Sequence, residues 1–386
     1  MSEAPIRNAT QPVRVMIVDD SALMRKLLSE ALRRAPGIEV IDTAMDGQFA
    51  LDHLTRIQPD VVLMDVDMPR LDGLAALERI VADYALPVVM CSAQTTLGAQ
   101  ATIQALARGA VDFIEKPTLA ALTSGEASVS IGAKVRGAMN ARVRPARSAA
   151  RVPAQVANQT PPPSAPADAS AWQKTVKQIE SLVRKAKPEI VAIGTSTGGP
   201  PALEQVLGGL PIDFPLGIVI VQHMPPGFTQ QLASHLDRIC QIKVREAVDR
   251  ELIEPGVVLI APGGLHLRVV HGDGKYIATL DERTPPVSGH RPSVDVLFES
   301  LAHSAQSHAA AFLMTGMGHD GADGLGKLAE AGAVTVAQTP DSCVCFGMPK
   351  SAIDRGFSRA VIPLEAIASA IVACGSAARE ANLNTD

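Results

Sequence analysis

Aromatic residues are scarce in this chain of 386 residues: Phe, Tyr and Trp make up 3% of it, with a single tryptophan. Proteins that read single-stranded nucleic acid stack bases on aromatic rings, so that class is disfavoured at the outset. Cysteine is sparse too. Five of them, an odd count without paired spacing, do not make a disulfide framework and fit a reducing compartment. Neither sign of charge dominates; 35 Lys and Arg against 40 Asp and Glu leave −5, too little to imply a nucleic-acid or membrane-surface partner. No run approaches the roughly 18 continuous apolar residues that a membrane span needs. The opening MSEAPIRNATQPVRVMIVDD has a brief apolar stretch followed at once by two acids, so no signal peptide is expected. A cytoplasmic monomer without nucleic-acid partner or membrane insertion is the expectation.

What is present is ordinary for a globular protein: 47% apolar and 19% charged residues, in a length that suits two domains. The composition shifts in the middle. Between Arg144 and Ser170 stand six prolines and eight alanines, with Val152 and Val156 the only larger apolar residues. Such a stretch cannot bury enough surface to offset its ordering entropy and is expected to be a flexible linker. Six basic residues and no acid lie between Lys134 and Arg151, a solvated stretch or a dock for an acidic partner. Beyond it, Trp172, Val176, Ile179 and Val183 recur at helical spacing, which predicts a short amphipathic helix over 172–186. Residues 1–187 carry a net +3 and the remainder −8, so the C-terminal half is poor material for a DNA-binding output domain.

In the N-terminal third, RVMIV, VVLM, PVVM and VDFI are short apolar runs separated by helix-compatible stretches. Alternation of this kind predicts a parallel sheet with helices on both faces, whose ligands sit at the carboxyl ends of the strands. The polar residues stand at those ends: Asp19 and Asp20, then Asp65, then Ser92, then Lys116. Three converging carboxylates repel unless neutralised, and an oxygen-rich cluster suits Mg²⁺. A lysine and a hydroxyl nearby suit a phosphoryl group. Any one such acid is commonly loop decoration; the ordered set is not. Over residues 12–130 the sequence resembles the receiver domain of two-component response regulators, through Asp19-Asp20, LMDVDMPRLDG, VVMCSA and DFIEKP. The resemblance implies Asp65 as phosphoacceptor and Mg²⁺ held by Asp19, Asp20, Asp65 and the backbone carbonyl of Asp67. It also implies Ser92 and Lys116 as phosphoryl sensors and Phe113 as the switch aromatic.

Farther on, EIVAIG leads into TSTGGPPALEQVL, a strand, a Gly-rich turn and a helix, with Ser196 in the turn. The string around it satisfies G-x-S-x-G, weak on its own. GIVIVQHMPPGF places His223 after a second buried strand, and AAAFLMTGMGHDGADG places Asp320 after a third. In a parallel sheet those loops share one edge, where a hydroxyl, a base and an orienting carboxylate make a nucleophilic triad. Taken singly, His223 reads equally as a core or capping histidine and Asp320 as a helix N-cap. The order Ser…His…Asp differs from the Ser…Asp…His of α/β-hydrolases. His303 and His308 do not share one helical face, which argues against a metal site, and Cys343 and Cys345 alternate on an expected strand, at least one of them as core filler.

Over 188–375 the sequence resembles the chemotaxis response-regulator protein-glutamate methylesterases, through IGTSTGGP, VQHMPPGF, IAPGGLHL, RPSVDVLFES, LMTGMGHDGADG and SCVCFGMPK. The resemblance implies Ser196 as nucleophile, His223 as general base and then acid, and Asp320 as orienting carboxylate. Met317 and Thr197 would serve the oxyanion, and His266 would line the active site. No cofactor is expected for the esterase site. Substrates would be methyl-accepting chemoreceptors, demethylated and in some cases deamidated at glutamine, and the phosphodonor a chemotaxis histidine kinase. The expected organisation is two doubly wound α/β parallel-sheet domains, a flavodoxin-like receiver (12–130) and a larger Rossmann-like esterase domain (188–375). A linker (131–187) joins them and a tail (376–386) follows. The rival from another class is an output domain that binds a protein and catalyses nothing.

Overall fold

The computed structural model describes residues 11–93, 95–139, 141, 143 and 169–383. The linker expected over 144–170 lies almost wholly outside the described residues.

In the first domain, β1 (Val13–Val18), β2 (Ile38–Ala44), β3 (Val61–Asp65), β4 (Val88–Ser92) and β5 (Asp112–Glu115) form a parallel sheet ordered β2-β1-β3-β4-β5. Side chains alternate along each strand, and both faces are buried. On β1, Met16 and Val18 enter one core while Val15 and Ile17 enter the other. Helices cover both: α1 (Ala22–Arg34), α2 (Gly47–Ile57), α3 (Gly73–Tyr84), α4 (Thr96–Ala107), α5 (Leu119–Ser124) and α6 (Glu126–Met139). The boundary expected at 130 falls inside α6, because Ile131, Val135 and Ala138 complete the receiver core. The strand order reverses between β1 and β3, and ligands of open α/β sheets bind at such a reversal. Asp72 caps α3, and Gly73 passes so close to β3 that a Cβ there would meet the Asp65 carbonyl at 2.2 Å. That approach is why glycine stands beside the phosphoacceptor candidate.

Helix α7 (Ala169–Ala186) includes the helix expected over 172–186 and buries Ile179 and Val183 against the second domain. There β6 (Ile190–Thr195), β7 (Gly217–Gln222), β8 (Lys243–Glu246), β10 (Val257–Ile260), β13 (Ala309–Leu313), β14 (Val334–Gln338) and β15 (Ala360–Ile362) form a seven-stranded parallel sheet ordered β15-β14-β13-β6-β7-β10-β8. Its covering helices are α8 (Gly199–Gly208), α9 (Phe228–Ile239), α10 (Val294–Ser304), α11 (Ala322–Glu330), α12 (Met348–Asp354) and α13 (Leu364–Leu383). The end expected at 375 falls inside α13, which continues to Leu383. Burial was expected for at least one of Cys343 and Cys345; both are buried, in a loop rather than on a strand.

One piece of the domain is not parallel. β9 (Glu251–Leu252), β11 (His266–Gly272) and β12 (Lys275–Asp281) form an antiparallel sheet ordered β11-β12-β9. Its hairpin turns through Asp273 and Gly274, both with positive φ, the geometry that matches strand twist.

Candidate active site and phosphoacceptor cluster

At the receiver's strand reversal, one carboxylate oxygen from each of Asp19, Asp20 and Asp65 lies within 4.8 Å of the others. Asp19 and Asp65 are buried, and Asp20 is exposed. Lys116 Nζ donates to Asp65 Oδ2 at 2.6 Å and lies 3.2 Å from Asp19 Oδ2, which accepts no hydrogen bond. Burial pushes the Asp65 carboxyl up to about 6, against the pull of Lys116. Burial disfavours the Lys116 charge, but the two carboxylates outweigh it and raise the ammonium to about 12. A cluster of hard carboxylate oxygens, one of them buried and held only by its ion pair with Lys116, fits Mg²⁺. Ser92 is buried, its hydroxyl donating to the Gly98 carbonyl at 2.9 Å, and Asp67 is exposed after β3.

In the larger domain, Thr195 and Gln222 are register partners at the ends of β6 and β7, so Ser196 and His223 leave adjacent strands side by side. Gln222 ties the two exits together. Its Oε1 accepts from Thr195 Oγ1 at 2.7 Å, and its Nε2 donates to the Ser196 carbonyl at 2.9 Å. Across the strand reversal between β6 and β13, Ser196 N donates to the Thr315 carbonyl at 3.0 Å. A Cβ at Gly316 would stand 2.8 Å from Ser196 Cβ, so only glycine lets this loop close on the serine. Gly198 turns the chain at φ 75° and α8 starts directly after it. The helix N-terminus therefore faces the turn that holds Ser196.

His223 Nε2 lies 2.7 Å from Asp320 Oδ2, while its Nδ1 is buried without a hydrogen-bond partner among the described residues. A carboxylate accepts, so Nε2 carries the proton and Nδ1 keeps its lone pair. Asp320 is not the cap of its own helix α11, whose N-cap is Gly321. It accepts instead at the N-terminus of α10, from Ser293 Oγ (2.7 Å), Val294 N (2.7 Å) and Asp295 N (3.1 Å). Burial would raise its pKa, but the His223 ring and these donors hold the carboxyl far below the usual range. Asp295 beside it moves the other way: burial, then the Asp320 charge, push its carboxyl up to about 7 against the Gly324 amide.

The remaining expected site residues are placed as follows. Thr197 is buried; its carbonyl accepts from Thr315 Oγ1, and its hydroxyl donates to Asp112 of the receiver. Met317 is half-buried in the loop after β13, with its sulfur beside Gly137 of α6. His266 opens β11, in the antiparallel sheet, and it is fully buried. Its ring spans the Pro285 carbonyl and the Ser293 amide, which puts it one contact away from Asp320. Phe113 is buried, and its ring stacks on Phe228 at the start of α9, centroids 4.7 Å apart. Gln222, His290, Ser293, Phe228 and Asp112 are the site residues that sequence reasoning did not single out. Gln222 had a signal in ending an apolar strand beside His223; the others become visible only when distant segments meet.

The fold and two family models define the class. The response regulator receiver domain model matches residues 15–124 and the CheB methylesterase model matches residues 191–371, so this is a response regulator with an enzymatic output domain. The protein-glutamate methylesterase/protein-glutamine glutaminase of Geobacillus kaustophilus is 46% identical over 363 residues, covering 93% of this chain and 98% of its own length. The Koribacter versatilis protein-glutamate methylesterase/protein-glutamine glutaminase 2 is 43% identical over 96% of this chain and 98% of its own. Among solved structures, the Thermotoga maritima CheB methylesterase catalytic domain is 42% identical with a TM-score of 0.47, covering 48% of this chain and 97% of that domain. The chain belongs to the CheB family of protein-glutamate methylesterase/protein-glutamine glutaminases. No helix among the described residues is long and apolar enough to cross a membrane.

Proposed function

We propose that this protein hydrolyses glutamate methyl esters on the cytoplasmic part of methyl-accepting chemoreceptors, and deamidates receptor glutamines at the same site, under control of phosphorylation at Asp65. The observation that carries the chemistry is the state of the His223 ring: Nε2 bonds Asp320 at 2.7 Å, Nδ1 is buried without a hydrogen-bond partner among the described residues, and His223 and Ser196 leave adjacent strands. His223 Nδ1 takes the Ser196 proton as Oγ attacks the ester carbonyl. The oxyanion forms at the N-terminal end of α8, near Thr197 and the Met317 amide. The C–O bond to methoxide breaks as the imidazolium returns the proton, and methanol leaves. Water, activated by the same ring, then attacks the acyl-serine and releases glutamate. With glutamine as substrate only the leaving group changes, to ammonia. The triad itself uses side chains alone.

In the receiver, Asp19, Asp20, Asp65 and the Asp67 carbonyl would hold Mg²⁺, which when bound neutralises charge on the transferring phosphoryl group. Lys116 and Ser92 stand at the strand ends to answer its arrival. Control of the esterase is steric. The receiver lies on the α8–α9 face: Phe113 stacks on Phe228, Asp112 holds Thr197, and α6 meets Met317. Those contacts favour a closed state that restricts access to Ser196, and phosphorylation at Asp65 favours its release.

The test is methanol release from methyl-esterified receptor membranes, with Mg²⁺, with and without a small-molecule phosphodonor. Wild type, Asp65→Asn and Ser196→Ala are compared. Release that needs Ser196, accelerated by phosphodonor only when Asp65 is present, is the expected result. Wild-type release no faster than that of Ser196→Ala refutes the esterase assignment.

A further inference from the structure

His290 has no part in the triad, yet its imidazole lies flat on that of His223, with centroids 3.8 Å apart and planes 7° from parallel. The placement is built. Val287 and His290 exchange both backbone hydrogen bonds across Ser288 and Gly289, whose φ values of 53° and 80° make the tight two-residue turn that positive φ allows. His266 holds the two ends of this segment. The Ser293 amide donates to Nδ1 at 3.2 Å, so Nε2 carries the proton and donates to the Pro285 carbonyl at 3.1 Å, and burial lowers the pKa of the ring. Ser293, at the far end of the same segment, donates to Asp320. One short stretch thus presents a ring to His223 and a hydroxyl to its carboxylate.

We infer that His290 is a positioning residue for the esterase reaction: its ring fixes the plane of His223 and stabilises the imidazolium that forms when His223 takes the serine proton. The inference rests on the triad proposed above. An imidazole is free to swing about its Cβ–Cγ bond, and a parallel ring at van der Waals contact prevents the tilt. That keeps Nε2 on Asp320 and leaves Nδ1 unprotonated to take the serine proton. The parallel arrangement also has an electrostatic consequence. A cationic ring is attracted to the face of a neutral aromatic ring more strongly than a neutral ring is. The stack therefore matches the charged state of His223 better than its resting state, which is the condition for speeding the reaction.

For this to work His290 must itself be neutral. The groups around it are His223, Asp320, Lys134 of α6 and His319. Burial, then the charge of His223 and the more distant cations, push the His290 ring down to about 4, against the pull of Asp320. It is uncharged throughout the neutral range.

The experiment measures kcat and KM for methanol release by the full-length protein with Mg²⁺ and phosphodonor, on methyl-esterified receptor membranes. His290→Leu fills similar volume without a π face and is expected to lose about 10-fold in kcat with KM within about twofold. His290→Phe restores the face and recovers most of that loss. Equal rates for the Leu and Phe variants overturn the inference, since packing alone would then suffice. A Phe variant as inactive as Ser196→Ala overturns it as well, because His290 would then carry a proton itself. Ser196→Ala retaining wild-type release would instead sink the triad, which separates that failure from this one. NMR of the folded variants gives a second readout. The ring current of His290 moves the His223 ring protons upfield; the shift persists in His290→Phe and is lost in His290→Leu. A resonance unchanged in the Leu variant contradicts the stack.

Discussion

Asp112, on the last strand of the receiver sheet, accepts a hydrogen bond from Thr197, the residue after Ser196 in the other domain. Its second oxygen accepts from Lys134 Nζ at 3.0 Å, so the carboxylate is held on one side by α6 while it holds Thr197 on the other. Phe113 next to it stacks on Phe228. The receiver therefore reaches the esterase loop with a charged acceptor as well as an apolar ring. Hydrogen bonds to charged groups contribute about 1.5–3 kcal/mol. Asp112→Ala is accordingly expected to raise the basal rate of methanol release by about 10-fold or more in the absence of phosphodonor. A basal rate at or below wild type contradicts steric control through this contact.

Asp320→Asn keeps the shape of the site but offers His223 an amide N–H where Nε2–H needs an acceptor, which selects the wrong tautomer. A loss of about 10⁴-fold in kcat is expected, by analogy with the same change in serine proteases. Ser196→Ala should lose at least as much. The measurement is single-turnover methanol release with saturating receptor. An Asn variant within 10-fold of wild type would remove Asp320 from the mechanism.

Asp65→Asn removes the proposed phosphoacceptor oxygen from the cluster with Asp19 and Asp20. Basal methanol release should persist, and the acceleration by phosphodonor with Mg²⁺ should disappear. Acceleration that survives in this variant would place the phosphoacceptor elsewhere.

Asp295 gives a pH dependence whose sign is fixed. Its carboxyl is raised from 3.8 unfolded to about 7 folded, by burial first and by Asp320 second. A raised carboxyl favours the folded state while protonated, so its contribution is full below about 4 and is lost as pH rises through 7. Asp295→Asn removes that loss. The unfolding temperature of the variant relative to wild type should be higher at pH 8 than at pH 5. A difference that is flat, or that grows toward acid, contradicts the assignment.

Much of this was legible in the sequence because a parallel sheet converts order along the chain into position at one edge. Asp19, Asp65, Ser196 and His223 each follow an apolar run, and that was enough to place them. Asp320 was harder, seven residues past β13, since its loop could have ended in an ordinary helix cap. It accepts instead from the first amides of α10, a contact that the local sequence does not encode. His290 was illegible for a related reason: it sits in the polar stretch TPPVSGHRP, where no periodicity announces which ring will meet another. His266 was legible only through the family resemblance, because the Asp273-Gly274 hairpin makes β11 and β12 antiparallel and takes it off the edge that order along the chain describes. The domain limits at 130 and 375 both fell within helices, because composition alone does not show where a helix stops contributing to a core.

Helix α6 serves two partners with different faces. Ile131, Val135 and Ala138 are buried in the receiver core, while Gly137 lies against the Met317 sulfur, so closely that a Cβ there would stand 2.6 Å from it. A substitution on the inner face is felt as receiver stability, and one at Gly137 as a change in fit against the esterase loop. The stretch 126–139 is thus constrained from both sides at once. It cannot vary with the freedom of a connector, and an exchange of receiver domains between relatives must carry this helix with it and accept whatever Met317 it then meets.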